Sequence, residues 1–146
     1  MKTVDISEKA PSRRTAVAEG RLSLKEETVN AIREGKVRKG DPFKVAESAA
    51  LLAVKKTPEL IPHCHNLPIA SISVELSIKD AEVLCTCAVK ANYSTGVEME
   101  ALVGVSVALL TVWDMVKYLE KNQDGQYPGT AITGIRVLTK LKEGNA

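Results

Sequence analysis

The chain is predicted to be an α+β protein with helices packed on one face of an antiparallel sheet. Three observations predict this. Apolar residues alternate in two neighbouring stretches, Val74, Leu76 and Ile78, then Val83, Cys85, Cys87, Val89 and Ala91, the period-two pattern of a hairpin. Two helical segments precede this hairpin and a long one follows it, each opened by a capping signal. Strand-like segments at both ends complete the order β-α-α-β-β-α-β, which fits helices layered on a sheet. At 146 residues the chain is one domain, 1–146, able to bury a core without staples.

The elements follow in order. Residues 1–15 are polar, with Pro11, Arg13 and Arg14, and read as a mobile arm. Residues 16–24 alternate weakly through Val17, Leu22 and Leu24, a first strand. Ser23-Leu24-Lys25-Glu26 has the spacing of a capping box, so a helix is expected from Leu24 to Glu34, stopping at Gly35, with Val29 and Ile32 on its inner face. Lys36 to Gly40 is a basic loop. Asp41-Pro42 opens the second helix, an Asp cap followed by Pro at the first helical position. Val45, Ala49, Leu52 and Lys56 make its stripe, and Pro58 ends it. Ile61–Pro68 is bracketed by prolines and can be neither helix nor central strand. Ile69–Ile78 and Glu82–Tyr93 form the hairpin around Lys79-Asp80-Ala81. Thr95 and Glu98 have the spacing of another capping box, for a long helix running to Lys121. After the loop at 123–129, a last strand runs from Ile132 to Leu141, followed by a short polar tail.

Composition narrows the function. Charged residues are 26% and hydrophobic residues 45% of the chain, ordinary for a soluble domain. A net charge of +2 and 3% aromatics leave little with which to hold or stack nucleic acid. The basic residues nevertheless cluster, as Arg13, Arg14 and Arg21, as Lys36, Arg38 and Lys39, and as Lys55 and Lys56, which suits a compact anionic ligand. Three cysteines without a signal-peptide pattern point to free thiols in a reducing, cytoplasmic setting. The uncharged run Ala101–Val112 is too short to span a bilayer and reads as a core helix, so no membrane is expected.

Three constellations carry chemistry. Both histidines of the chain flank a thiol in His63-Cys64-His65. A metal there would need more ligands; Cys85 and Cys87 point together into the predicted core and C-x-x-C spacing is absent, so no metal site is expected. An imidazole can instead move protons or bind phosphate. Glu98 and Glu100 sit in the first turn of the most apolar helix; the capping box and the helix dipole account for Glu98, whereas Glu100 has only the dipole. Asp114 and Lys117 are spaced i,i+3 on one helix face. The simplest reading is a surface ion pair, but Trp113, Met115, Val116 and Tyr118 make this turn apolar, and a partly dry acid–ammonium pair can transfer protons.

Glu100 and Asp114 project within about 40° of each other at 100° per residue, yet about 21 Å of helix rise separates them. One small ligand cannot touch both on one chain. Two copies of this helix packed antiparallel would bring Glu100 of one towards Asp114 of the other, and the small residues Ala101, Gly104 and Ala108 would permit close approach. A homo-oligomer with interface sites is expected.

Lys39-Gly40-Asp41, Lys55, Leu60-Ile61-Pro62-His63-Cys64-His65, Thr95-Gly96-Val97-Glu98-Met99-Glu100-Ala101-Leu102 and Trp113-Asp114-Met115-Val116-Lys117 together resemble, in order and spacing, the cyclic pyranopterin monophosphate synthases, the molybdenum cofactor biosynthesis protein C family. The resemblance extends from Val4 to Leu138. It implies a ferredoxin-like fold, a hexamer built as a trimer of dimers, and conversion of 3′,8-cyclo-7,8-dihydro-GTP to cyclic pyranopterin monophosphate and pyrophosphate. It also implies that Asp114 is the catalytic acid/base and Lys117 its partner. His63, Cys64, His65, Glu98, Met99 and Glu100 would contact substrate, and Lys39, Lys55 and Arg14 would meet the triphosphate or assist the rearrangement. The sequence requires no cofactor; Mg2+ would accompany the triphosphate, with no clear carboxylate site for it. Asn66 stands where many members have proline, and the tail Lys140–Ala146 is shorter than the glycine- and lysine-rich tail common in the family. The competing reading is a non-enzymatic nucleotide- or RNA-binding module on the same fold.

Overall fold

The computed structural model describes residues 1–145 and contains β1 (Ser12–Ser23), α1 (Glu26–Arg33), α2 (Pro42–Lys55), α3 (Thr57–Leu60), β2 (Ile69–Lys79), β3 (Glu82–Tyr93), α4 (Glu98–Glu120) and β4 (Ala131–Asn145). The strands form one antiparallel sheet in the order β2-β3-β1-β4. Helices α2 and α4 lie on one side of it, so the fold is ferredoxin-like, as expected.

The alternation that predicted the strands is the alternation of burial. Ala16, Ala18 and Leu22 of β1 and Val83, Cys85, Cys87, Val89 and Ala91 of β3 are buried against Val105, Ala108, Leu109, Val112 and Val116 of α4. The hairpin turns at Asp80, which takes a left-handed conformation (φ 54°), a state Asp tolerates better than most residues. Helix α4 is long and apolar enough by length and composition to cross a membrane. Its buried side is nevertheless the centre of the domain core.

Close approach explains the glycines under α4. A Cβ at Gly20 would lie 2.7 Å from Val105 Cγ1, and one at Gly104 would lie 2.6 Å from Cys87 Sγ and 2.9 Å from Val54 Cγ2. Ala101, Gly104 and Ala108 are therefore all consumed inside the chain. They bring α4 against the sheet and α2, not against a second copy, which corrects the expected use of these small residues.

Several boundaries also differ. β1 starts at Ser12, so residues 12–15, expected in the arm, are strand. Neither capping box forms. Ser23 ends β1, paired with Glu82 and Ala131, and the caps of α1 and α4 are Lys25 and Val97, without side-chain capping bonds. The carboxylate of Glu120, buried at the far end of α4, does the work at α1: it accepts from the Lys25 N–H (3.0 Å) and from the hydroxyls of Thr28 and Thr130. Asp41 does cap α2, accepting from the N–H groups of Phe43 and Lys44. The inner stripe of α2, however, is Ala46, Ala50, Ala53 and Val54, while Val45 and Leu52 face outward; small residues let α2 lie close to α4. Pro58 opens the short α3 rather than simply closing α2. The expected tail continues β4 to Asn145; Ala146 lies outside the described residues.

Candidate active site

Two clusters of functional side chains form, one towards each end of α4. The first gathers where the 61–68 connector meets the start of that helix. His63, Cys64, His65, Leu67, Thr95, Gly96, Glu98, Met99 and Glu100 line a cleft of about 150 Å3. Three segments distant in sequence shape it. The connector cannot fold into regular structure because Pro62 and Pro68 remove donors at both ends. Gly96 allows the Glu98 carboxylate to fold back over the backbone, where any Cβ would collide with it. Arg14, buried on β1, donates to the carbonyls of Tyr93 (3.4 Å) and Ser94 (3.4 Å), holding the β3–α4 connection.

Electrostatics in this cleft favour protonated acids. Glu100 is only 3% exposed, and burial, with the neighbouring Glu98 carboxylate, raises its pKa above the usual 4.5. Burial and the Glu100 carboxylate likewise raise that of Cys64, so its thiol stays protonated at neutral pH. His65 Nε2 lies 2.7 Å from the Val4 carbonyl. A carbonyl only accepts, so Nε2 carries the hydrogen and a neutral His65 presents Nδ1 as its acceptor. The same arm is tied at Lys9, whose carbonyl accepts from the Ser94 hydroxyl at 3.0 Å.

The second cluster lies on the last third of α4. Lys117 Nζ donates to Asp114 Oδ1 at 2.8 Å, and Lys39 Nζ approaches Asp114 Oδ2 at 3.6 Å while donating to the Asp114 carbonyl at 3.1 Å. The Lys117 hydrogen bond and charge, then that of Lys39, lower the Asp114 pKa; the Asp114 hydrogen bond and charge raise that of Lys117. The resting pair is thus carboxylate and ammonium, one proton acceptor beside one donor. The pair is wetter than the apolar turn suggested, with side chains 60% and 42% exposed. Trp113 meets Tyr127 edge-on (5.4 Å between centroids).

The site residues expected from sequence thus divide. Arg14, His63, Cys64, His65, Glu98, Met99 and Glu100 assemble at one end, and Lys39, Asp114 and Lys117 at the other. Lys55 joins neither directly; it lines a separate hollow with Leu51 and Ile69–Ile72. Cys85 and Cys87 are fully buried beneath α4, their thiols pushed up to about 12 and about 11 by burial. Among the described residues no three His, Cys, Asp or Glu groups converge as a metal site. One neighbour of the first cleft was not legible: Lys140 of β4 places Nζ 3.6 Å from Glu98 Oε2. Its signal is the β4–β1 register that sets it opposite Ala16, a pairing the strand's own residues do not specify.

Comparison with known proteins bears on this pairing of clusters. The model of the MoaC family matches residues 3–143. The chain belongs to the MoaC family. A protein of Aeropyrum pernix is 57% identical over 139 residues, covering 95% of each chain, and one of Thermococcus kodakarensis is 52% identical over 142 residues, covering 97% of this chain and 91% of its own. Both are named as probable cyclic pyranopterin monophosphate synthases. A relative from Methanothermobacter thermautotrophicus, 51% identical over 142 residues and covering 97% of this chain and 89% of its own, is named as a probable accessory protein of that synthase.

Proposed function

We propose that this chain is a cyclic pyranopterin monophosphate synthase, a lyase of molybdenum cofactor biosynthesis. It converts 3′,8-cyclo-7,8-dihydro-GTP to cyclic pyranopterin monophosphate and releases pyrophosphate. The observation that carries this reading is the Lys39–Asp114–Lys117 cluster, poised as base and acid, in a chain of the MoaC family.

The chemistry follows from the groups. The purine imidazole ring opens and a pterin ring closes, which moves several protons, and Asp114, Lys117 and His65 are the groups able to carry them. A sugar hydroxyl then attacks the α-phosphorus. The new P–O bond closes the cyclic phosphate, the bond to the bridging oxygen breaks, and pyrophosphate leaves with the charge. Lys39 is suited to hold that charge; the family resemblance adds Arg14 and Lys55, which lie outside the Lys39–Asp114–Lys117 cluster. His63, Cys64, Glu98, Met99 and Glu100 recognise the base and sugar, with Glu100 able to donate a hydrogen bond in its protonated form. Any Mg2+ travels with the triphosphate.

Because about 21 Å of helix rise separates Glu100 from Asp114, the reading requires both clusters to meet across a subunit interface. The outer side of α4 between them supports this: Met99 is 42% and Leu110 56% exposed, with Val103 and Val107 half-buried beside them. An antiparallel partner helix would cover this stripe, join the clusters and dry the Asp114–Lys117 pair. The hexameric assembly and a cytoplasmic location belong to the same proposal.

The test is turnover of enzymatically generated 3′,8-cyclo-7,8-dihydro-GTP, following pyrophosphate and the oxidised fluorescent pterin. Wild type should yield both products. Lys117→Ala and Asp114→Ala should fold normally and lose turnover by about a hundredfold or more, as general acids and bases do. Wild-type rates in both variants would remove these residues from the mechanism. No product from a folded, oligomeric wild type that still binds guanine nucleotides saturably would leave a binding module or an accessory role.

A further inference from the structure

Lys39 occupies an exposed position that the backbone alone does not secure. The Gly40 N–H donates to the Val37 carbonyl at 3.1 Å, which closes a four-residue turn with Arg38 and Lys39 at its corner. Gly40 has φ 115°, a conformation L side chains rarely adopt. Val37 is buried and anchors the base of the turn. At the corner itself, one side chain holds the backbone. The Tyr118 hydroxyl accepts from the Arg38 N–H at 2.7 Å, and the Arg38 guanidinium lies 4.4 Å from the centroid of the Tyr118 ring. Tyr118 follows Lys117 directly and stands one helical turn after Asp114.

We propose that Tyr118 is a positioning residue that clamps the Val37–Gly40 turn and thereby sets Lys39 beside Asp114 and Lys117. One residue thus grips Arg38 by both its amide and its side chain, and the next residue places its ammonium 3.1 Å from the Asp114 carbonyl. Without the grip, the turn keeps its closing hydrogen bond but its corner is free to swing. The functional half of this inference rests on the reaction proposed above; the structural half does not.

The experiment is an exchange measurement and one double-mutant cycle on the whole chain. Amide hydrogen exchange on Tyr118→Phe, which keeps the ring and removes the acceptor, should show loss of protection at Arg38 with the core unchanged. In turnover, Tyr118→Phe should lower kcat/KM by about three- to tenfold, the worth of one neutral hydrogen bond. Tyr118→Leu should lower it further, towards the level of Lys39→Ala. Because Tyr118 acts through Lys39, Tyr118→Phe should cost nothing more in a Lys39→Ala background, whereas a general loss of fold quality would add to it. Unchanged Arg38 protection, or additive losses in the double variant, would overturn the clamp. If wild type turns nothing over, the exchange result still decides the clamp, and only the reaction assignment fails.

Discussion

Glu100 is the residue whose placement most conflicts with simple burial rules. It is buried at the mouth of an apolar helix, and its pKa is raised above 4.5, first by burial and then by Glu98. The folded chain therefore holds this proton more tightly than the unfolded one. The stability this contributes is complete below about pH 4.5 and is lost as pH rises through the higher folded value. Glu100→Gln does not titrate, so its melting temperature relative to wild type should climb as pH rises from 4 to 8. Thermal denaturation across that range checks it, and a constant offset would show that Glu100 is not held against its charge. Turnover should change little in the same variant, since the amide N–H still donates the hydrogen bond by which a protonated Glu100 recognises substrate. The sequence disclosed that Glu100 was anomalous because an acid stood where the helix pattern asked for an apolar residue. It could not disclose Lys140, which reaches Glu98 only through the pairing of β4 with β1.

Among elements, the strands were more legible than the helix ends. Period-two alternation in β2 and β3 reports burial directly, whereas a capping box is a local option that tertiary contacts can displace. Glu120 shows how: a carboxylate from the end of α4 takes the Lys25 amide at α1 that Ser23 was expected to leave to a local cap. The stripe of α2 failed for a related reason, since size rather than polarity selected its inner face. Gly104 lies where that selection is tightest, between Cys87 of β3 and Val54 of α2. Gly104→Ala gains helix propensity worth about 1 kcal/mol. It also pushes a Cβ to 2.6 Å from a buried sulfur with no room to retreat, and overpacking costs about 1–3 kcal/mol. The variant should be destabilised by up to about 2 kcal/mol net in urea titration. Gly129→Ala, with no atom within 4 Å of the added carbon, should change stability by less than about 0.5 kcal/mol. Equal effects in the two would mean that α4 can lift from the sheet at no cost.

At the scale of the molecule, a fold built around one long central helix puts its functional groups at the two ends of that helix. Helix rise alone carries this conclusion, which is why the separation is legible in the sequence. The small residues were not readable in the same way, because Ala101, Gly104 and Ala108 would serve a neighbouring sheet as well as a neighbouring subunit, and they serve the sheet. What remains for a second copy is the exposed stripe through Met99 and Leu110. Sharing the site makes a quantitative demand. Lys117→Ala removes one half-site and His65→Ala the other, so each homo-oligomer should be inactive. When the two variants are co-expressed in equal amounts, half of the dimer interfaces pair unlike chains. Each such interface then holds one intact site and one doubly defective site. Random pairing should therefore restore about a quarter of wild-type turnover. The measurement is turnover of the mixed preparation, with native mass spectrometry to verify that mixed oligomers are present. Recovery near that level requires Lys117 and His65 to act from different chains. Mixed oligomers without recovery would confine each site to a single chain, and substrate would then have to engage only one end of α4.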